Sequence, residues 1–249
     1  MKKRFIHISF LFAVLFALFS SCKKKETAPE TPTTTSTTTT EPTHHGMIYS
    51  NQIVMLTSGT LTPFNGLSGG LFSTTNMIGD GIISGTSADA GAVSLNSTTF
   101  KKSTVGSIYY TDSTNTDFSP TYNWQVAGGS GIPAINYTYS VTLPAFTGYA
   151  SLSNTINLGQ SNTISLNGIT GADEIQVSIS ASTNTSYLKT VDGSATSVTF
   201  NASDLNTLST STLGYLYVTC SKVSYQTFSG KTIKIKAGYQ LLKSDIVIQ

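Results

Sequence analysis

The chain has 249 residues, of which only 10% are charged: 14 Lys+Arg against 12 Asp+Glu, a formal net charge of +2. Six of the basic residues fall within the first 25 positions; from Met47 onward eight lysines stand against nine carboxylates, with no arginine and no histidine. The body of the chain therefore encodes no basic surface of the kind that neutralises phosphates, and nucleic acid is excluded as a partner.

The N-terminus reads Met1-Lys2-Lys3-Arg4, followed by an apolar run from Phe5 to Phe19. A short basic segment, an apolar run and small residues make an export signal. The run is shorter than the ~20 apolar residues that a spanning helix needs. Leu18-Phe19-Ser20-Ser21-Cys22 resembles a lipobox, the processing signal of bacterial lipoproteins, with Phe19 where that signal more often has Leu. The resemblance implies removal of residues 1–21 and a diacylglycerol on the Cys22 thiol. Lys23-Lys24-Lys25-Glu26 resembles the start of mature surface lipoproteins of the Bacteroidetes phylum, and no Asp follows Cys22. That implies attachment to the outer membrane, facing the cell exterior, with a periplasm-facing orientation as the alternative.

Residues 22–46 read as the lipidated cysteine and a linker. Thr33 to Thr40 are all threonine except Ser36, and Pro29, Pro32 and Pro42 flank the run. Without apolar residues to build a core, such a segment is expected to stay disordered and extended. His44 and His45 sit at its end and are not expected to hold a metal.

The remainder is predicted to be all-β, as two small antiparallel β-sandwich domains. Residues 47–149 form a β-rich unit with strands expected at 48–56, 91–95, 107–111, 121–127 and 135–142, and Gly-rich loops between Gly59 and Gly91. Residues 150–249 form an immunoglobulin-like sandwich with strands at 162–167, 174–181, 186–191, 196–201, 213–222 and 232–249, the last being two strands or one bent at Gly238. The warrant is alternation, as in Ile175-Gln176-Val177-Ser178-Ile179-Ser180 and in Ile233-Lys234-Ile235-Lys236, where the lysines are expected to face outward. Turn residues such as Gly128-Gly129, Asn167-Gly168 and Asp192-Gly193 separate the runs. A helical turn is expected only at 203–208. The layout of lipobox, threonine-rich tether and small β-domains resembles lipoproteins of the Bacteroidetes phylum, a likeness that implies a location and a fold type but no activity.

The residue types restrict the chemistry. With no histidine after residue 46, a Ser-His-Asp arrangement and a histidine-ligated zinc site are not expected in the folded part. Cys220 is its one cysteine, set in an apolar alternation and read as a buried structural thiol. Ser186-Tyr187-Leu188-Lys189 matches an S-x-x-K pattern, but on a strand rather than the helix that such chemistry requires. Asp173 and Glu174, being neighbours, point to opposite faces of a strand and cannot work as a simple carboxylate pair. Asp112, Asn115 and Asp117 miss the register of a calcium loop, so neither a metal nor a cofactor is expected.

Two functions follow. The first is a non-enzymatic envelope lipoprotein, held to the membrane by its lipid and binding or supporting another envelope protein. The alternative is a carbohydrate-binding surface module in which Tyr109, Tyr122, Trp124, Tyr137 and Tyr139 stack on a glycan. Burial of Trp124 separates the two, because a buried ring cannot meet a sugar.

Overall fold

The computed structural model describes residues 41–77, 80, 87–103, 108–110, 121–181 and 186–249, with backbone alone for 64, 65 and 108–110. The strands in chain order begin with β1 (His44–Thr57), β2 (Thr60–Met77), β3 (Val93–Leu95), β4 (Thr98–Thr99), β5 (Lys101–Lys102) and β6 (Ile108–Tyr110). They continue as β7 (Thr121–Val126), β8 (Ile135–Ser140), β9 (Ala145–Phe146), β10 (Thr155–Ile156), β11 (Asn162–Ser165) and β12 (Ile169–Thr170). The last are β13 (Glu174–Ser180), β14 (Ser186–Asp192), β15 (Ser197–Phe200), β16 (Ser211–Phe228) and β17 (Lys231–Ile248). The described residues are all-β, and their one helical element is a 3-10 turn at Tyr149–Ser151.

Eight of these strands run side by side in one sheet, in the order β14-β13-β16-β17-β1-β2-β6-β5, with β10 joined to β17 as a ninth. Two long hairpins form its centre. β1 turns into β2 at Ser58-Gly59, and β16 turns into β17 at Ser229-Gly230. All four turn residues have positive φ, between 46° and 79°. Two-residue turns of this hand match the right-handed twist of the strands they join, and glycine at the second position removes the Cβ clash. The hairpins meet through β1 and β17, which pair in parallel from Gly46↔Ile233 to Leu56↔Lys243.

The two large cores lie on one face of this sheet, one above the other, and a small cluster of Tyr217 and Leu242 with Met55 and Tyr215 lies on the opposite face. Near the start of β1 and β17, Ile48, Phe72, Ile233, Ile235 and Ala237 pack against Val93, Leu95, Tyr122, Trp124, Val126 and Ile135. The latter come from a four-stranded sheet, β4-β3-β7-β8. Further along the same strands, Leu56, Ile175, Val177, Leu216, Val218, Leu241 and Ile246 pack against Phe146, Ile164, Val198 and Phe200. Those are carried by the short pairs β11-β15 and β9-β12. Each half is a sandwich-type layer pair, as alternation along the strands dictates.

Several expectations need correction. The β-rich unit 47–149 and the sandwich 150–249 do not have separate sheets: β1 and β2 sit between β17 and β6, so one sheet draws on both. There are two large cores, but they divide along the length of the strands and not at Tyr149. The reason is that 14- to 18-residue strands are long enough to cross two layers in succession. The loop expected from Gly59 is instead β2. Gly70 faces a bulky neighbour: a Cβ there would lie 3.2 Å from the Phe72 ring, and one on Gly46 in β1 only 2.6 Å from it. Glycine here makes room for a buried ring, which a composition reading takes for a loop. The β1–β2 register slips between Gln52 and Val54, where Val54 faces Pro63, a residue with no N–H to give to the ladder. β16 runs on to Phe228, and 231–248 is a single strand. Residues 202–207 form turns instead of a helix. The linker expected to continue to Gly46 ends earlier, because β1 begins at His44.

Candidate functional site

Where β1, β17 and β16 start or end together, the face opposite the core carries the densest group of charges. Lys234 and Lys236 alternate with Ile233 and Ile235 as expected, but they are not outward: Lys234 is 0% exposed and Lys236 3%. Alternation fixes which face a side chain takes, and says nothing about whether that face is covered. Met47 and Tyr49 of β1 stand beside the two lysines in register, and Tyr225 of β16 pairs with Lys234 on the other side.

Buried ammonium groups require partners, since an uncompensated charge out of water costs several kcal/mol. Lys234 Nζ donates to Glu41 Oε1 at 2.5 Å, Asp80 Oδ1 at 2.8 Å and Glu174 Oε2 at 2.9 Å. Lys236 Nζ donates to Glu174 Oε1 at 2.5 Å and Asp80 Oδ2 at 2.6 Å. Gln176, two residues along β13 from Glu174, gives its amide to Asp80 Oδ2 at 2.5 Å. The Tyr225 hydroxyl donates to Glu41 Oε1 at 2.6 Å. Glu41 comes from ahead of β1, Asp80 from beyond β2 and Glu174 from the first residue of β13. The network therefore fastens three separate stretches of chain to the sheet.

The protonation states follow from the neighbours. Burial alone would raise the Asp80 carboxyl, but the Lys236 and Lys234 ammonium groups outweigh it and hold the acid well below the usual carboxylate range. Burial would lower Lys234, and the carboxylates of Asp80 and Glu174 override it, pushing the amine above its ordinary value. Tyr225 is raised by burial and by its hydrogen bond to Glu41. His44 is fully buried, its ring 6.0 Å from that of Tyr225, and burial lowers its pKa so that the neutral imidazole is favoured. Its Nδ1 faces the Pro42 carbonyl at 3.2 Å. The folded part thus does contain histidine, His44 and His45 of β1, contrary to the reading from Met47 onward.

Carboxylate oxygens of Glu41, Asp80 and Glu174 lie within 4.8 Å of one another, a spacing that metal ligands share. Here two ammonium groups already stand among them. A cation would have to displace both lysines, so the arrangement works as an ion-pair lock. Glu174 and its neighbour Asp173 do take opposite faces: Asp173 binds Lys222 Nζ at 2.9 Å and the Val223 N–H at 2.9 Å.

The other candidate residues are dispersed. Trp124 and Tyr122 are 0% exposed, so sugar stacking through the aromatic set loses its two central rings. Trp124 packs edge-on against Phe100 at 5.7 Å between centroids. Tyr137 and Tyr139 are half-buried at the margin of the same core, Tyr137 edge-on to Phe228 at 5.8 Å. The Tyr109 side chain, Asp112, Asn115, Asp117 and Cys22 lie outside the described residues. Cys220 is buried, and burial pushes its thiol up to about 12, which makes it unreactive at neutral pH. Ser186 and Lys189 are three apart on β14 and take opposite faces; Lys189 Nζ instead reaches the Thr199 carbonyl at 2.6 Å and Asp204 at 2.5 Å.

Sequence reading missed Glu41, Asp80 and Glu174 as a group because they are far apart in the chain. One signal was present: in a body with so few charges, two lysines share one face of a strand whose other face is Ile233 and Ile235. Comparison with protein-family models, with curated proteins and with solved structures finds no match.

Proposed function

We propose that this chain is an outer-membrane lipoprotein, lipidated on Cys22 and surface-facing, whose β-body serves a non-enzymatic binding or structural role towards another envelope protein. The observation that carries the reading is the order of its N-terminus: basic residues, apolar run, small residues, Cys22, a threonine- and proline-rich stretch, then Glu41 and β1. Diacylglycerol with a further acyl chain holds stably, whereas one acyl chain binds only reversibly. No helix of the described residues is long and apolar enough to cross a membrane. The non-enzymatic part of the reading draws on the charged cluster, whose carboxylates are already taken by Lys234 and Lys236. Glycan binding through Tyr122 and Trp124 is not carried forward, since both are buried.

Fractionation of cells producing the chain and its Cys22→Ser variant tests the reading. The parent chain is expected in the outer-membrane fraction and to be cut by protease added to intact cells, and the variant to leave that fraction. Equal membrane recovery of both chains would overturn it.

A further inference from the structure

A chain held through its N-terminus receives any pull on its body at the first strand, and the sheet places that strand where sliding it out is hardest. β1 is internal: β17 flanks it on one side and β2 on the other. Its pairing with β17 is parallel and continues from Gly46↔Ile233 to Leu56↔Lys243 with no register shift. In a parallel pair, the start of β1 and the end of β17 lie at opposite ends of the ladder. A pull on the start of β1 against the end of β17 is directed along the strands, so the inter-strand hydrogen bonds between them are loaded together. Were the pair antiparallel, the same two points would lie at one end and the ladder would open one bond at a time.

The entry to β1 is fixed as well. Glu41 is held by the buried Lys234 ammonium and by the Tyr225 hydroxyl, at 2.5 and 2.6 Å. His44, the first residue of β1, is fully buried. Both cores add resistance to sliding, since Ile48 is fixed in one and Leu56 in the other. A shift of β1 along its axis by one residue would turn Ile48 and Leu56 away from both cores at once.

We propose that β1, locked between β17 and β2, is a shear clamp, and that bearing tension along the N-terminal tether is a function of this fold. The proposal rests on the reading that the chain is held through its N-terminal segment, but the clamp can be measured without any lipid.

The test is single-molecule pulling on the full chain carrying Cys22→Ser, with handles attached at two introduced cysteines; Cys220 is buried and does not compete. One variant carries Thr43→Cys and Gln249→Cys, which loads β1 against β17 in shear. The other carries Thr43→Cys and Ser229→Cys, whose handles lie at one end of the ladder and unzip it. All three positions are exposed. The shear axis is expected to rupture at roughly twice the force of the unzipping axis or more, because forced unfolding reports the barrier along the direction pulled. It is also expected to release the chain in one event of about 70 nm, less the folded distance between the handles. Equal forces on the two axes, or an early low-force release of β1 alone along the shear axis, would overturn the clamp. Neither outcome bears on lipidation, which the fractionation of the Cys22→Ser variant decides separately.

Discussion

At the residue scale the ion-pair lock is the feature with the largest expected energetic consequence. Removing one partner of a buried pair leaves the others uncompensated, and Lys234 serves three carboxylates. Lys234→Ala is expected to cost about 3–5 kcal/mol in denaturant unfolding, whereas Lys231→Ala on the same strand should stay within about 0.5 kcal/mol. The same network sets a pH window. Asp80 is depressed, so its contribution is full above the ordinary aspartate value of about 3.9 and is lost as pH falls through its folded value. Lys234 is raised, so its contribution is full below the ordinary lysine value of about 10.4 and is lost as pH rises towards its folded value. His44 is lowered by burial, so its neutral ring contributes fully above the ordinary histidine value of about 6.5, and that contribution is lost as pH falls through its folded value. Melting temperature is therefore expected to be flat between about pH 7 and 10, to fall below that range first through His44 and then through Asp80, and to fall above it through Lys234. A continuous rise or fall within that range would point to another group in control. None of this could be read from Lys234 and Lys236 alone. Their alternation with Ile233 and Ile235 was legible, but their partners lie more than 50 residues away in sequence and meet them only through the sheet.

At the scale of elements, local pattern carried most of the strands. Ile175 to Ser180, Tyr122 to Val126 and Ile135 to Tyr139 alternate and pair as alternation requires. β2 escaped because Gly66, Gly69 and Gly70 look like a loop, and the close approach of the Phe72 ring to Gly70 becomes visible only in three dimensions. The two Ser-Gly turns that fix the long hairpins are short-range signals and were open to sequence reading. Gly230, with φ of 79°, has no space constraint, as nothing lies within 4 Å of an added Cβ. Gly230→Ala is thus a clean measure of the backbone requirement. It is expected to cost about 1 kcal/mol in equilibrium unfolding, from the left-handed conformation alone. A neutral substitution would mean that the hairpin tolerates another turn type.

At the scale of the whole molecule, alternation along the chain indicated an all-β body but could not show that the first and last strands are neighbours. The division near Tyr149 is undone by β17, whose Ile233, Ile235 and Ala237 complete a core built largely from residues 48–135. Fragments 47–149 and 150–249 are each expected to lack cooperative thermal unfolding when produced alone, and sharp independent transitions in both would contradict a shared sheet. The same arrangement gives the proposed N-terminal anchor its importance, since β1 lies inside the sheet between β17 and β2. Intact-mass and peptide mass spectrometry of the mature protein purified from membranes test this most directly. The expected result is a chain that begins at Cys22, lacks Met1 to Ser21 and carries diacylglycerol in thioether linkage on that cysteine. A mature chain starting elsewhere, or one with an unmodified Cys22 thiol, would contradict the account.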